Sequence, residues 1–583
     1  MEQFRQIVGS LNSLVWDSGI PVGGETIPFV VIALLGTGVF LTLYLGFIQL
    51  RRLAHGFAVT TGKYDDPNEP GDVSHFQALT TALSATVGIG NIAGVAIAIH
   101  WGGPGALFWM WVTAFLGMAV KYTEVTLAQR FRDVGEDEDP ERWEGSVSGG
   151  PMYYIERGLG RKWKWMAVFF ATMLGFTAFL TGNAVQANTV ADTMNAFFGT
   201  PAWVTGLITT TIVFAVIIGG IKRIGRVTSI LAPDMAAIYV LGALVVILMH
   251  ADQILPSLTL IVREAFNPSA GVAGTGVGAF LVTLMWGVKR GLFSNESGQG
   301  SAPIAHAAGK TAEPVSEGVV ALLEPFIDTI VVCTMTALVI IMTGVWADRH
   351  PTPLELNSGD VSYVMLDEEG RYRPTSAPAE IRIVDGVHEN DGVGAPLFAW
   401  HEVMVEEFFV DPDHTVRFTG VIDVANRIAR SDDGQTYTTL HGEAVESGAP
   451  LTMLAFSRGL PGEWGSYIVI IGVLLFAVST AISWSYYGDR CANYLFGAKA
   501  ILPYKLIFVA MHFVGAMVAL DTMWAIGDVA LGIVILPNLI ALVLLAPKVK
   551  EMTGSYFERQ PWLENAEVRK RILAEKKAAK QPR

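Results

Sequence analysis

The sequence predicts an all-α membrane protein of about eleven transmembrane helices. One N-terminal helix precedes ten that form a five-plus-five inverted repeat, and a small β-containing insertion sits on the outer side. Three observations carry that expectation. The 583-residue chain is 51% hydrophobic and 16% charged, with mean hydropathy +0.42, whereas soluble proteins carry about 25% charged residues. Apolar runs near the 20-residue bilayer length recur at about 27–49, 78–99, 103–128, 165–187, 201–220, 228–249, 276–300, 315–345, 466–487, 503–520 and 524–546. Two of these runs, the second and the seventh, are broken by glycines and polar residues.

The first span follows MEQFRQIVGSLNSLVWDSGIPVGG, which has neither a basic n-region nor a small-residue cleavage site after a short apolar core. The span is therefore expected to be retained. Lys and Arg then gather after the odd-numbered spans: Arg51, Arg52 and Lys63 after the first; Arg130, Arg132, Arg157, Arg161, Lys162 and Lys164 after the third; Lys222, Arg223 and Arg226 after the fifth. Lys310 follows the seventh, Arg490, Lys499 and Lys505 follow the ninth, and the tail ends VRKRILAEKKAAKQPR. The positive-inside rule places these loops and the C-terminus in the cytoplasm and Met1 outside. The expected location is a cell membrane, crossed many times, of the prokaryotic plasma (inner) type. The two cysteines, Cys333 and Cys491, lie in or beside spans, so neither a disulfide nor a thiolate metal site is expected. The chain has no Walker A motif, which argues against an ATP-driven pump.

Five regions follow from the pattern: an extra N-terminal helix (1–50), a core (51–345), an insertion (346–465), the last three core helices (466–547) and a basic tail (548–583). The insertion holds 21 Asp and Glu, eight Arg and no Lys, a net of −13 against −14 for the whole chain. Its segments EIRIVDGVHENDG, TVRFTGVIDVAN and QTYTTLHGEA alternate and carry turn residues, so short strands in a folded outer cap are expected. A disordered acidic loop is the alternative, opposed by the Val, Ile, Phe and Tyr content. Such a cap could engage an extracytoplasmic partner; the other expected partners are the bilayer and a small solute, with no nucleic acid.

The second span reads TTALSATVGIGNIAGVAIAIHWGG and breaks at TVGIGN; the seventh breaks at GLFSNESGQGSAP. Unwound backbone inside a bilayer is tolerated only where it lines a buried or water-filled site. With the first span set aside, each group of five opens with a broken helix, and the odd count inverts the second group. Paired breaks in inverted halves point to the binding site of a secondary transporter. Half-helix N-termini favour a carboxylate and C-terminal carbonyls a cation. Gly88, Gly90, Gly298 and Gly300 allow close approach, and Thr86, Asn91, Ser294 and Asn295 supply neutral polar groups. A zwitterionic amino acid beside a hard cation fits that inventory. The rival readings are small residues that let helices pack closely and a dinucleotide-type glycine loop, for which no strand precedes the glycines. In the ninth span, LLFAVSTAISWSYYGDR, Ser479 and Thr480 are adjacent hydroxyls whose simplest role is back-bonding to the preceding turn, and Trp484 lies one turn beyond Thr480.

The runs GIGNIAGVAIAIHWGGPGALFWMWV, GGPMYYIERGLG, KRGLFSNESGQGSAPIAHAAG, EPFIDTIVVCTMTALVI and STAISWSYYGDRCANYLFG resemble the alanine or glycine:cation symporter family, also called sodium:alanine symporters. The resemblance covers nearly all the chain except about 350–446. It implies the leucine-transporter (LeuT-type) fold and sodium-coupled uptake of a small neutral amino acid such as alanine or glycine by alternating access, with Na+ as coupling ion and no organic cofactor. It also implies site roles. Gly88 and Gly90 donate to the substrate carboxylate, while Thr86, Asn91, Phe293, Ser294 and Asn295 line the substrate. Phe176 and Trp484 close over its side chain. Sodium is taken by the carbonyls of Ser84 and Val87 with the hydroxyls of Ser479 and Thr480. The large acidic insertion departs from the family pattern.

Lys289, Arg290, Glu296, Glu324 and Asp328 are ionisable residues within spans, and such residues default to functional candidates. Glu324 and Asp328 lie one turn apart. Either they pair with Lys289 and Arg290 and lock two helices, or one acid takes up a proton and makes transport proton-coupled, with Glu296 the first suspect. A channel, which would lack saturable accumulation, and a membrane sensor using the acidic cap are rivals from other classes; an intramembrane enzyme has no HExxH or paired catalytic motif to support it.

Overall fold

The computed structural model describes residues 10–16, 18–22, 25–134, 147–268, 277–358, 360–368, 372–462, 464–518 and 520–579. The expected placement of Met1 and the last four residues of the tail fall outside them. Lipid and protein interior are about equally apolar, so a spanning helix can be hydrophobic on every face, and these are. Large apolar side chains such as Ile208, Leu241 and Leu248 stand exposed on helix exteriors, while Val213, Tyr239 and Val246 of the same helices are fully buried.

The first long apolar helix, α1 (Phe29–Tyr44), turns by 79° at Gly46 and Phe47 into α2 (Ile48–Thr60). The first broken helix is α3 (His75–Thr86) and α4 (Ala93–Gly102). A capping box starts α3: the Ser74 hydroxyl accepts the Gln77 N–H at 3.2 Å and the Gln77 side chain accepts the Ser74 N–H at 3.1 Å. Then come α5 (Ala106–Phe131), α6 (Lys164–Phe179), α7 (Val185–Phe198), α8 (Ala202–Ile217), α9 (Gly220–Met249) and the short α10 (Ile254–Phe266). The second broken helix is α11 (Val277–Asn295) and α12 (Ala302–His306). The next helix begins as α13 (Pro314–Ala321), loosens into a π-helical stretch at Phe326–Cys333, and ends as α14 (Thr334–Thr343). After the insertion come α15 (Gly448–Gly459), α16 (Trp464–Phe496), α17 (Ile501–Met517), α18 (Leu520–Arg559) and α19 (Trp562–Ala579).

Among the described residues, seven helices are long and apolar enough to cross a membrane, or up to nine if each bent pair is one span. The 16-residue α8 is shorter, and the run expected at 276–300 is the second interrupted helix, α11 with α12. The expected boundary at 547/548 falls inside α18, which continues without interruption to Arg559. The tail returns to α2: Arg52 lies 3.6 Å over the Phe557 ring, and His55 meets Trp562 edge-on at 4.6 Å.

Between 350 and 444 the chain forms short antiparallel strands. Strands β1 (Val361–Leu366), β2 (Tyr372–Pro374), β5 (Pro396–Trp400) and β6 (Val403–Met404) make one sheet; β3 (Glu380–Val384), β4 (Val387–His388), β7 (Gly420–Asp423), β8 (Ile428–Ser431) and β9 (Thr436–Tyr437) make a second. The strands close on a separate apolar core that includes Leu354, Ile383, Phe398, Phe408, Phe418 and Leu440. His388 is buried there and its Nε2 accepts the Phe398 N–H at 3.0 Å, which requires the neutral ring. Burial lowers its pKa from 6.5 to about 4. Between pH 6.5 and 4 the unfolded chain thus binds this proton and the folded unit does not. Stability is full above pH 6.5 and falls as pH drops toward 4, by about 3 kcal/mol at roughly 1.4 kcal/mol per unit. The hydrogen-exchange protection factors of Phe398 and its neighbours, taken against the intrinsic rate at each pH, are expected to fall over that window, and to lose that fall in His388→Gln.

Candidate transport site

The two breaks meet. At the first, the Asn91 side chain accepts the Gly88 N–H at 2.9 Å and donates to the Ser294 hydroxyl at 3.1 Å, just ahead of the second break. Both converge on Asp328 in the π-helical stretch: Asn91 Nδ2 donates to Oδ1 at 2.6 Å, and the hydroxyls of Ser294 and Thr329 donate to Oδ2 at 2.6 and 2.7 Å. Asn91, Ser294, Asp328 and Thr329 are fully buried. A π-helical segment widens the helix by one residue per turn and commonly marks a functional site; here it turns Asp328 toward both breaks. Phe293 packs on Gly90, where an added Cβ would come within 3.0 Å of its ring.

The second break is held under strain. Glu296 has φ +55°, and Gly298 and Gly300 have φ +90° and +76°. The glycines take this backbone freely, whereas a non-glycine residue there costs about 1–2 kcal/mol. Glu296 is fixed in it by two donors, Trp484 Nε1 at 2.9 Å and the Ser301 hydroxyl at 2.5 Å. Trp484 fits because residue 182 on the opposing helix is glycine: a Cβ there would lie 2.2 Å from the indole. Asn295 braces the break, donating to the Thr329 hydroxyl at 3.2 Å and accepting the Ser297 N–H at 3.1 Å.

A second cluster lies where α3 ends. The hydroxyls of Ser479 and Thr480 reach the Ser84 carbonyl at 3.3 and 3.1 Å, Thr480 also reaches the Ala85 carbonyl at 3.2 Å, and Ser479 reaches Phe476 O at 2.9 Å. Val87 caps the same helix end and is buried. A Cβ at Gly88 would come within 2.6 Å of the Thr480 hydroxyl, so this close approach needs glycine. These are neutral oxygens gathered at a half-helix C-terminus, chemistry suited to a small hard cation. Thr86 turns back on its own helix, its hydroxyl 3.3 Å from Ala82 O.

Two expectations are corrected. Phe176 does not close over the site: it is 55% exposed on the outside of α6, whose inward face is Phe170, Ala171, Leu174, Gly175 and Ala178. The residues of this helix that reach the site follow it, Gly182 and Gln186, across a π-helical turn at Leu180–Ala184. Glu324 and Asp328 also do not pair with Lys289 and Arg290. Lys289 lies over Trp16 and Trp286, and Arg290 over Trp286 and Phe293. Glu324 instead accepts from Lys121 at 3.0 Å and faces His306 Nε2 at 2.6 Å; His306 Nδ1 faces Glu317 at 2.6 Å, and Glu317 also contacts His75. All five side chains are buried, in a chain that ties α3, α5, α12 and α13 together. Lys121, His306, Glu317 and His75 are not among the residues that the sequence pattern singles out, although Lys121 sits mid-span, where an ionisable residue is a functional candidate.

A helical membrane protein with two interrupted helices, joined by one buried polar network, belongs to the class of membrane transporters. A profile of the sodium:alanine symporter family matches residues 1–365 and 430–570, and the chain belongs to that family of transporters, which are not enzymes. It is similar to sodium/alanine symporter AgcS of Methanococcus maripaludis, 38% identical over 558 residues, 95% of this chain and 98% of the other. It is also similar to "Probable sodium/glutamine symporter GlnT" of Bacillus subtilis, 29% identical over 94% of this chain and 90% of the other. Among solved structures, the crystal structure of MhsT in complex with L-phenylalanine covers 86% of this chain and 96% of that one, at 11% identity and a TM-score of 0.48.

Proposed function

We propose that this protein is a sodium-coupled symporter that imports a small neutral amino acid, alanine or glycine, by alternating access. The observation that supports it most is the convergence of both breaks on Asp328 through Asn91 and Ser294. In this reading eleven spans cross the membrane, ten of them as a LeuT-type inverted repeat, with the N-terminus and the insertion outside and the C-terminus in the cytoplasm. Asn91, Ser294 and Asp328 hold the polar end of the substrate together with the Gly88 and Gly90 backbone, Phe293 and Trp484 bound its side chain, and Thr86 and Asn295 shape the breaks. The oxygens of Ser84, Val87, Ser479 and Thr480 take Na+. The family's name and the alanine-transporting relative support alanine; the glutamine-named relative marks how far substrate can vary within the family.

Rocking of one helix bundle against the other alternates access to a midplane site. Bound Na+ strengthens amino-acid binding through a coupling typically worth 1–3 kcal/mol. The double variant Ser479→Ala/Thr480→Ala is expected to raise the Na+ concentration for half-maximal uptake at least tenfold while Na+-free background stays the same. Unchanged sodium dependence removes these residues from the cation site. One observation favours a second reading, proton coupling: Glu296 is buried at the second break, bonded to Trp484 and Ser301, and lies within electrostatic range of Lys121 and Glu324.

A further inference from the structure

Residues 366–429 lie outside the stretch matched to the family, yet the insertion reaches into the transporter. The hairpin between β5 and β6 turns at His401 and Glu402, both with positive φ, +50° and +62°. A two-residue turn of this kind favours Asn and Gly, and two ordinary residues in it cost about 1–2 kcal/mol each. The turn is pinned from both sides: the His401 carbonyl faces His100 Nε2 of α4 at 3.0 Å, the His401 N–H donates to Asp360 O at 2.9 Å, and the Glu402 N–H donates to Ser362 at 2.7 Å.

Under this turn lies a cavity of about 270 Å3, bounded by both parts of the molecule. Its apolar walls include Trp101 and Trp286, stacked at 5.6 Å, and Met453. Arg290, which lies over Phe293 of the transport site, also lines it, so the cavity adjoins that site. Two features give it a ligand. Asp192 of α7 and Asp360 of the insertion both border it, and no described hydrogen bond or ion pair engages the Asp192 carboxylate. Opposite in sign is the N-terminus of α15, twelve residues long, whose first residues Gly448–Pro450 border the same space. Its N-cap Ser447 is 6% exposed, lines the cavity, and makes no capping bond. First-turn N–H groups have no partner within their own helix and favour an anion.

We propose that this cavity is an outer docking site for the zwitterionic amino acid, completed by the insertion. The ammonium group is held between Asp192 and Asp360, the carboxylate at Ser447 and the α15 N-terminus, and the side chain against Trp101 and Trp286. The insertion is then part of the uptake path, raising the local concentration of substrate above the transport site. The inference rests on the amino-acid symporter reading.

The test uses the full-length protein in proteoliposomes with its outer face accessible, and labelled alanine and glycine as probes. Asp192→Asn/Asp360→Asn and Ser447→Ala are expected to raise the KM of Na+-driven uptake from the outer face five- to tenfold at unchanged Vmax. Efflux driven from the opposite face, and Na+-dependent binding by the detergent-solubilised variants, are expected to match the parent. Retained binding shows that a variant has folded, and the single variants Asp192→Asn and Asp360→Asn carry the same test separately. An unchanged outer KM in folded variants, or a KM raised equally from both faces, overturns the docking site and leaves the symporter reading standing. Absence of Na+-driven uptake by the parent overturns both.

Discussion

Replacing Asp328 with alanine is expected to abolish accumulation of the amino acid, a loss of at least a hundredfold in uptake. Asp328 is the charged group on which both helix breaks converge: Asn91 reaches it from the first, and Ser294 from just before the second. Hydrogen bonds to a charged group are worth about 1.5–3 kcal/mol each, and a buried donor left without its acceptor costs about 1–3 kcal/mol. With Asn91, Ser294 and Thr329 all donating to this carboxylate, the site loses its shape and its negative charge together. Asp328→Asn separates the two: it keeps the volume and removes the charge. Substrate binding without uptake in Asp328→Asn assigns the charge to coupling; parent-like uptake in either variant removes Asp328 from the site.

Glu324→Gln is expected to destabilise the protein by about 3–5 kcal/mol, the usual cost of stripping a buried ion of its partner. Lys121 is left with its ammonium group fully buried and its 3.0 Å carboxylate gone, and His306 loses one of its two anionic partners. The double variant Lys121→Met/Glu324→Gln removes both charges and should recover most of the loss, because contacting residues do not act additively. A clear fall in the thermal midpoint of detergent-solubilised Glu324→Gln, reversed in the double variant, is the expected pattern. Equal midpoints for parent and single variant contradict it.

Particular residues show why the sequence discloses some of this and hides the rest. The breaks at TVGIGN and SNESGQG stand out because glycine and polar residues are costly in a helix surrounded by hydrocarbon. Asn91 and Ser294 were therefore identifiable one by one, and the structure brings them to 3.1 Å. Ser479 and Thr480 stood out for the same reason and meet the end of the first half-helix. Phe176 misled because the segment MAVFFATMLGFTAFL is apolar on all sides, so its pattern does not distinguish a lipid-facing ring from an inward one; the π-helical turn after it changes the phase again. The ion chain stayed hidden for a different reason. Lys121 and Glu324 are 203 positions apart, whereas Lys289 and Arg290, nearer in sequence, looked the natural partners. Proximity along the chain is weak guidance once helices pack side by side. The strand-rich character of 350–444 was visible in its alternation, but the reach of His401 to His100 depends on a strained turn that no local pattern announces.

Uptake of labelled alanine and glycine by purified protein in liposomes, under an imposed inward Na+ gradient and separately under an inward H+ gradient without sodium, tests the central claim most directly. The account predicts concentrative uptake with the Na+ gradient, collapse of that uptake when the gradient is dissipated, and none with H+ alone. Accumulation driven by H+ alone would contradict sodium coupling and move the coupling site to Glu296 and the Glu324 chain. No uptake of either amino acid under both gradients would contradict the substrate assignment itself.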